Sequence, residues 1–222
     1  MALYLESEIK KLRSVIKEIS KLAESQVFEA MKFLLSEDGT DKKEIKKAED
    51  KIDKLDMKID QICQTIVALQ QPVASDLRFV LSAMQIGNEA ERIGDLAIDV
   101  IKKSKKIDEK HDLIVKFNIA ELAREIEEIT FRTNEYFKSL EENKIQEIFA
   151  LDSSIKNRIE DAIRAIIGEM KINPNAVTSG TNLVIVLKHL ERISDHCTNI
   201  AESVYFVITA KIVKHSRFDE KK

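Results

Sequence analysis

The feature that most constrains this chain is the pentapeptide Glu-Arg-Ile-x-Asp, which occurs twice, about 100 residues apart. The first copy runs from Glu91 to Asp95 and the second from Glu191 to Asp195. The two carboxylates of each copy are four residues apart, so on an α-helix they share one face. At a rotation of about 100° per residue, the first pair falls on a stripe with Val80 and other apolar residues, and this predicts a partly buried acid pair.

Helix is predicted for nearly the whole chain. Apolar residues recur at intervals of three and four, and the sequence contains only five glycines and two prolines. Asp41 and Glu44 resemble a capping box at the start of the second helix, and Pro72 marks its end. The predicted helices cover approximately residues 4–35, 41–71, 72–104, 113–140, 144–169 and 175–214.

Each half of the chain therefore consists of a helix, a helix, a turn with proline and a third helix. A repeat of this length fits a three-helix bundle better than a solenoid unit. We predict an all-α fold of two tandem, pseudo-symmetric three-helix bundles with six long helices. The predicted domains are residues 1–106 and 107–216, followed by a polar tail at 217–222.

Composition excludes several classes of protein. With 36 basic and 39 acidic residues, the net charge is −3, and no segment is basic enough to indicate a nucleic-acid footprint. Cys63 and Cys197 fit reduced core thiols better than a disulfide framework. The first residues resemble no signal peptide, and no apolar run is long enough to span a membrane. We expect a cytoplasmic protein whose membrane contacts are only indirect, through partners.

The turn at Pro72 predicts where the acids of the first half meet. Two antiparallel helices that rise equally per residue bring Glu91 and Asp95 level with Glu49 and Asp53. Four carboxylates at one level of a bundle repel one another and lose hydration unless a cation neutralises them. The all-oxygen ligand set predicts a divalent or trivalent metal ion, with Mg²⁺, Mn²⁺, Ca²⁺ and iron all compatible.

The same reasoning about the turn at Pro174 predicts a different set of facing residues in the second half. Glu191 falls level with Lys156, and Asp195 falls level with Asp152. Three carboxylates and one lysine leave two alternatives open. Either a second metal binds, with Asn199 and Glu202 as further ligands, or a salt bridge between Glu191 and Lys156 replaces the metal.

Three segments carry a resemblance to a known family: the sequence from Gln71 to Arg78 (Gln-Pro-Val-Ala-Ser-Asp-Leu-Arg), the first Glu-Arg-Ile-Gly-Asp and the stretch from Leu190 to Glu202. In this order and at these separations they resemble the PhoU family over almost the whole chain. The resemblance implies tandem three-helix bundles whose acidic motifs bind metal, iron or zinc included. It also implies a cytoplasmic accessory protein of phosphate uptake.

When phosphate is plentiful, members of that family restrain the phosphate transporter and the starvation response. The resemblance implies that they act through the ATPase subunit of the transporter and a phosphate-sensing histidine kinase. We also expect a homodimer. Carried over by position, the metal-binding residues are Glu49, Asp53, Glu91, Asp95, Asp152, Glu191 and Asp195, and Lys156 departs from the acidic pattern.

Two other functions compete with a non-enzymatic regulator. A metal-free helical scaffold would pair its acids with lysines. A ferritin-like di-metal oxidase needs Glu-x-x-His on two helices. No histidine of this chain has a glutamate three residues before it, which disfavours the oxidase. Arg92 and Arg192 are expected to screen nearby acids or to face a partner, and His196 is expected to be a core or surface residue.

Overall fold

The computed structural model describes residues 2–36, 42–108 and 110–214. These residues form α-helices and one short 3-10 helix, with no β-strand among them. No helix in these ranges is both long enough and apolar enough to cross a membrane. The α-helices are α1 (Ala2–Ser36), α2 (Lys42–Gln70), α3 (Ala74–Ser104), α4 (Lys110–Lys116), α5 (Ile119–Ser139), α6 (Lys144–Ile172) and α7 (Val177–Thr209), and the 3-10 helix is Pro174–Ala176.

The predicted all-α fold with six long helices is confirmed, with one difference. The predicted fourth helix is divided into the seven-residue α4 and the longer α5. The break falls at Asn118, whose φ is 52°, in the left-handed region that asparagine tolerates better than most residues. The capping residue proposed at position 41 lies outside the described residues, and the domain division at 106 and 107 stays a prediction.

Helices α1, α2 and α3 pack on one another, and so do α5, α6 and α7. The most extensive contact in the structure is between α3 and α7. These two helices run antiparallel, because the end of α3 lies beside the start of α7. There the Asp108 backbone N–H donates to Ser179 Oγ at 3.1 Å, and Asn182 Nδ2 donates to the Lys106 carbonyl at 3.2 Å.

One continuous apolar core runs through both halves. The central isoleucines of the two motifs, Ile93 and Ile193, are buried in it. Because a residue two positions away on a helix is rotated by about 200°, the flanking Glu and Asp of each motif project to the other side. Each motif therefore contributes its isoleucine to the core and projects its two acids away from that isoleucine.

Two glycines of α3 allow α2 to approach closely. A Cβ atom at Gly87 would lie 3.0 Å from Asp56 Oδ1 and 3.0 Å from Ile59 Cδ1. A Cβ atom at Gly94 would lie 2.5 Å from Gln26 Oε1 and 3.0 Å from Ile52 Cδ1. Glycine inside a helix costs about 1 kcal/mol relative to alanine, so this close packing gives the glycines a structural role.

The end of α7 provides a test of the backbone geometry. Ala210 adopts φ 58°, and its N–H donates to the Phe206 carbonyl at 2.9 Å. An L-residue is strained there and glycine is not, so Ala210→Gly should raise the free energy of unfolding by about 0.5–1 kcal/mol. Chemical denaturation measures the change. The control Ala176→Gly, at φ −78°, should give no gain, and an Ala210→Gly protein no more stable than the parent would contradict the geometry.

Candidate metal centre

The acids of the first half gather between α2 and α3. Glu91 is mostly buried, with 20% of its side chain exposed. Burial raises the pKa of Glu91, and the charges of Asp95, Asp56 and Asp53 raise it further, while Arg92 lowers it. The folded protein therefore holds several carboxylates close enough to disfavour one another's ionisation.

Asp95 and Asp56 belong to the same group. Burial raises the pKa of Asp95; Arg92 lowers it and Asp53 raises it. Burial also raises the pKa of Asp56, with the charges of Asp60 and Asp53 adding to the effect. We call Asp53, Asp56, Glu91 and Asp95 the first-half carboxylate cluster. The sequence prediction missed Asp56, although its position three residues after Asp53 places both on one face of α2.

Glu49 stays a predicted ligand beside this cluster. It is half-buried on α2, one turn before Asp53, and it is not among the main charges that act on Glu91 or Asp95. The α2 charges that act on these two α3 acids are those of Asp53 and Asp56. The turn at Pro72 predicts the level of contact correctly to within one helical turn.

Arg92 is a positive group in contact with the cluster. Its Nε lies 3.4 Å from Glu91 Oε2, and its Nη1 lies 3.7 Å from Asp95 Oδ2. Half of the Arg92 side chain is exposed, and exposed ion pairs of this kind contribute about 0–1 kcal/mol. Arg92 therefore screens the cluster, as expected from the sequence, without neutralising it.

The donor set of the cluster fits a hard cation. It offers only carboxylate oxygens, which suit Mg²⁺, Mn²⁺, Ca²⁺ or iron. As the side chains stand, no three or more His, Cys, Asp or Glu residues of the described part of the chain are placed to ligate one ion. A cation held by these acids therefore requires their side chains to turn toward a common centre.

The second half holds its acids differently. Lys156 Nζ lies 2.9 Å from Asp152 Oδ2 and 2.7 Å from Asp195 Oδ1. The side chain of Asp152 has no exposed surface, and Ser194 Oγ donates to its Oδ1 at 2.6 Å. Lys156 thus forms salt bridges at the place where the sequence allowed either a metal ion or a salt bridge.

One expectation for this half needs correction, the salt bridge between Glu191 and Lys156. Glu191 does not pair with Lys156; its Oε2 lies 2.5 Å from Lys188 Nζ on the same helix. Glu202, proposed as a further ligand, pairs with Lys214 at 2.8 Å. Glu191 does not reach Lys156 because α7 is rotated about its axis so that Asp195 faces α6 at that level.

Asn199, the other proposed ligand, contributes to a contact between the two halves. Its Nδ2 donates to Glu89 Oε2 at 3.1 Å, and His196 Nδ1 lies 2.5 Å from the same oxygen. Glu89 lies on α3, and the other two residues lie on α7. His196, expected to be a core or surface residue, therefore joins the two motif-bearing helices. The sequence offered no signal for its partner Glu89.

Comparison with known proteins gives the same twofold division. The PhoU domain matches residues 16–104 and again residues 119–204. The chain belongs to the PhoU family. The two matched segments coincide with most of α1–α3 and with α5–α7, so the short helix α4 lies between the two PhoU domains.

Relatives named as PhoU match almost the whole chain. The phosphate-specific transport system accessory protein PhoU homolog of Clostridium acetobutylicum is 30% identical over 210 residues, which cover 94% of this chain and 95% of the relative. The homolog of the same name from Pseudomonas aeruginosa is 26% identical over 210 residues, covering 94% of this chain and 87% of the relative.

Two crystal structures share the fold. PhoU from Pseudomonas aeruginosa superposes with a TM-score of 0.83 at 25% identity, covering 93% of this chain and 99% of that one. The phosphate transport system regulatory protein PhoU from Streptococcus pneumoniae gives a TM-score of 0.74 at 23% identity, covering 95% and 99%. The paired bundles seen in this chain are therefore the PhoU fold.

The raised pKa of Glu91 predicts that its charge destabilises the metal-free fold. Glu91→Gln should raise the free energy of unfolding at neutral pH by about 0.5 kcal/mol, the size of a like-charge pair at this spacing. Because the folded state binds the proton more readily than the unfolded state, the gain should shrink as the pH falls through the raised pKa and vanish below 4.5.

Denaturant unfolding in a chelator, at neutral and at acid pH, measures this effect. Asp99→Asn is the matched control, since Asp99 lies on the same helix but has a favourable partner, Lys102, at 3.1 Å. That control should give no gain. A Glu91→Gln protein that is less stable than the parent at neutral pH would show that the carboxylate is favourably paired.

Proposed function

We propose that this chain is a non-enzymatic regulator of phosphate uptake that binds a metal ion through its first-half carboxylate cluster. The observation that carries the regulatory role is the double PhoU domain, matched across both halves. Relatives covering nearly the whole chain are named accessory proteins of the phosphate-specific transport system. Carboxylates with raised pKa values face one another across α2 and α3, an arrangement that suits cation binding.

The metal part of the proposal rests on charge. Glu91 and Asp95 on α3 face Asp53 and Asp56 on α2, and burial with mutual repulsion raises the pKa of three of these acids. A bound cation supplies the positive charge that Arg92 provides only in part. The four carboxylates would hold it between α2 and α3, so binding would draw these helices together and stiffen the first half.

The partners proposed for the chain are the ATPase subunit of the phosphate transporter and the phosphate-sensing histidine kinase. With phosphate plentiful, the chain restrains both through protein contacts, as a cytoplasmic homodimer that reaches the membrane only through them. The printed names of the relatives support a role beside a transport system. The metal-free scaffold stays a second candidate, because Lys156 pairs with acids of the second half.

A genetic experiment tests the regulatory role. Deleting the gene should raise starvation-induced phosphatase activity in phosphate-rich medium, because restraint of the starvation response is lost. Phosphatase assays on cells grown with high phosphate measure the effect, and the intact gene returned on a plasmid should reverse it. Phosphatase activity that stays low in the deletion strain would contradict the proposed role.

Metal analysis of the purified chain tests the cation site. After dialysis against Mn²⁺, the parent should retain about one ion per chain, and the variant Glu91→Ala/Asp95→Ala should lose it. Glu121→Ala/Glu125→Ala is the matched control, because these acids have the same spacing but are already held by Arg158 at 2.9 and 3.1 Å. Equal metal contents in the parent and the Glu91→Ala/Asp95→Ala variant would overturn this site.

A further inference from the structure

The second half contains a lysine where the first half has only carboxylates. The Lys156 ammonium bridges α6 and α7, at 2.9 Å from Asp152 on its own helix and 2.7 Å from Asp195 on the facing one. An ammonium has three N–H donors and no acceptor, so it can serve two carboxylates at once. Both contacts are close ion pairs.

Asp152 is the carboxylate that the Lys156 charge stabilises most, because its side chain is fully buried. Without a positive partner, this buried carboxylate would cost several kcal/mol. Lys156 approaches one of its oxygens, and the Ser194 hydroxyl donates to the other at 2.6 Å. One oxygen of this buried acid thus accepts a hydrogen bond from Ser194, and the other forms an ion pair with Lys156.

The first half lacks both of these groups. At the position in the repeat that corresponds to Ser194, the first motif has Gly94, which has no side chain to donate a hydrogen bond. Arg92 pairs with the acids there, but it is half-exposed and lies 3.4 Å from Glu91 and 3.7 Å from Asp95. The two halves therefore share a fold and an acidic motif but differ in where the balancing charge comes from.

We propose that the Lys156 ammonium is the permanent cation of the second half, so that the carboxylates there are closed to metal ions and this chain has one metal-responsive half. The inference rests on the proposed function only in taking the first half as the metal-binding half. In the second half, the ammonium occupies the place between Asp152 and Asp195 that a metal ion would need.

The charge state of Lys156 agrees with this role. Burial lowers its pKa, but the hydrogen bonds and charges of Asp195 and Asp152 outweigh burial, and the net shift is upward. Lys156 stays protonated at every pH at which a cell operates. Its contribution to stability is present below the ordinary lysine pKa of 10.5 and is lost only as the pH rises through the higher folded value.

The consequence is a functional asymmetry between two similar halves. The acids between α6 and α7 are balanced by a covalently attached cation and do not depend on metal supply. The acids between α2 and α3 take their balancing charge from a cation in solution. A change in metal concentration would therefore alter the first half while the second half stays constant.

Thermal unfolding of the full-length chain tests the proposal, in the Glu91→Ala/Asp95→Ala background that disables the first half. In that background, Mn²⁺ should not change the Tm. Adding Lys156→Ala should lower the Tm in chelator by about 6 °C or more, because Asp152 is left buried without its partner. Mn²⁺ should then raise the Tm of this variant, since the ion can enter the place of the ammonium.

Two further variants separate the role of Lys156 from a general loss of charge. Lys188→Ala removes a lysine paired with Glu191 on the exposed face of α7, and it should change the Tm by less than about 2 °C without any response to Mn²⁺. Lys156→Arg keeps the positive charge, so it should remain folded and unresponsive to Mn²⁺ even if Lys156→Ala fails to fold.

Three results would overturn the proposal. The first is a bound Mn²⁺ in the Glu91→Ala/Asp95→Ala protein that disappears when Asp195→Ala is added. The second is an unchanged Tm for Lys156→Ala in chelator, and the third is the absence of any Mn²⁺ response once Lys156 is removed. A parent chain that binds no metal at all would contradict the proposed function alone, because the Tm comparisons at Lys156 remain valid.

Discussion

The antiparallel packing of α3 on α7 is the contact on which the rest of the structure depends. Each of these helices carries one copy of Glu-Arg-Ile-x-Asp, and the isoleucine of each copy is buried in the shared core. With the isoleucines fixed in the core, Glu91 and Asp95 are turned toward α2 and Asp195 is turned toward α6. The contact of His196 and Asn199 with Glu89 then joins the two motif-bearing helices directly.

Acids held in these grooves need positive charge, and the two halves obtain it in different ways. In the second half, Lys156 and Ser194 serve the buried Asp152 within the chain. In the first half, burial and the charges of neighbouring acids raise the pKa values of Glu91, Asp95 and Asp56, while Arg92 lowers them. The proposed metal response of the first half alone follows from this difference in balancing charge.

Helix periodicity and the two prolines were sufficient to predict the long helices and the pairing of α2 with α3 and of α6 with α7, but not the packing of α3 on α7. The level of contact also followed, since both partners of an antiparallel pair rise equally per residue. The sequence did not predict which acid of each helix faces the neighbouring helix. The close approach of α2 at Gly87 brings Asp56 beside α3, and Asp195 rather than Glu191 contacts Lys156. The break at Asn118 depends on a single backbone angle that periodicity does not encode.

The central claim is that the two halves share a fold but only the first accepts a metal ion. Anomalous diffraction from crystals of the full chain soaked in Mn²⁺ tests it most directly. The account predicts one anomalous peak between α2 and α3, against the carboxylates of Asp53, Asp56, Glu91 or Asp95, and no peak beside Lys156. A peak bound by Asp152 and Asp195 with the Lys156 side chain displaced would contradict it.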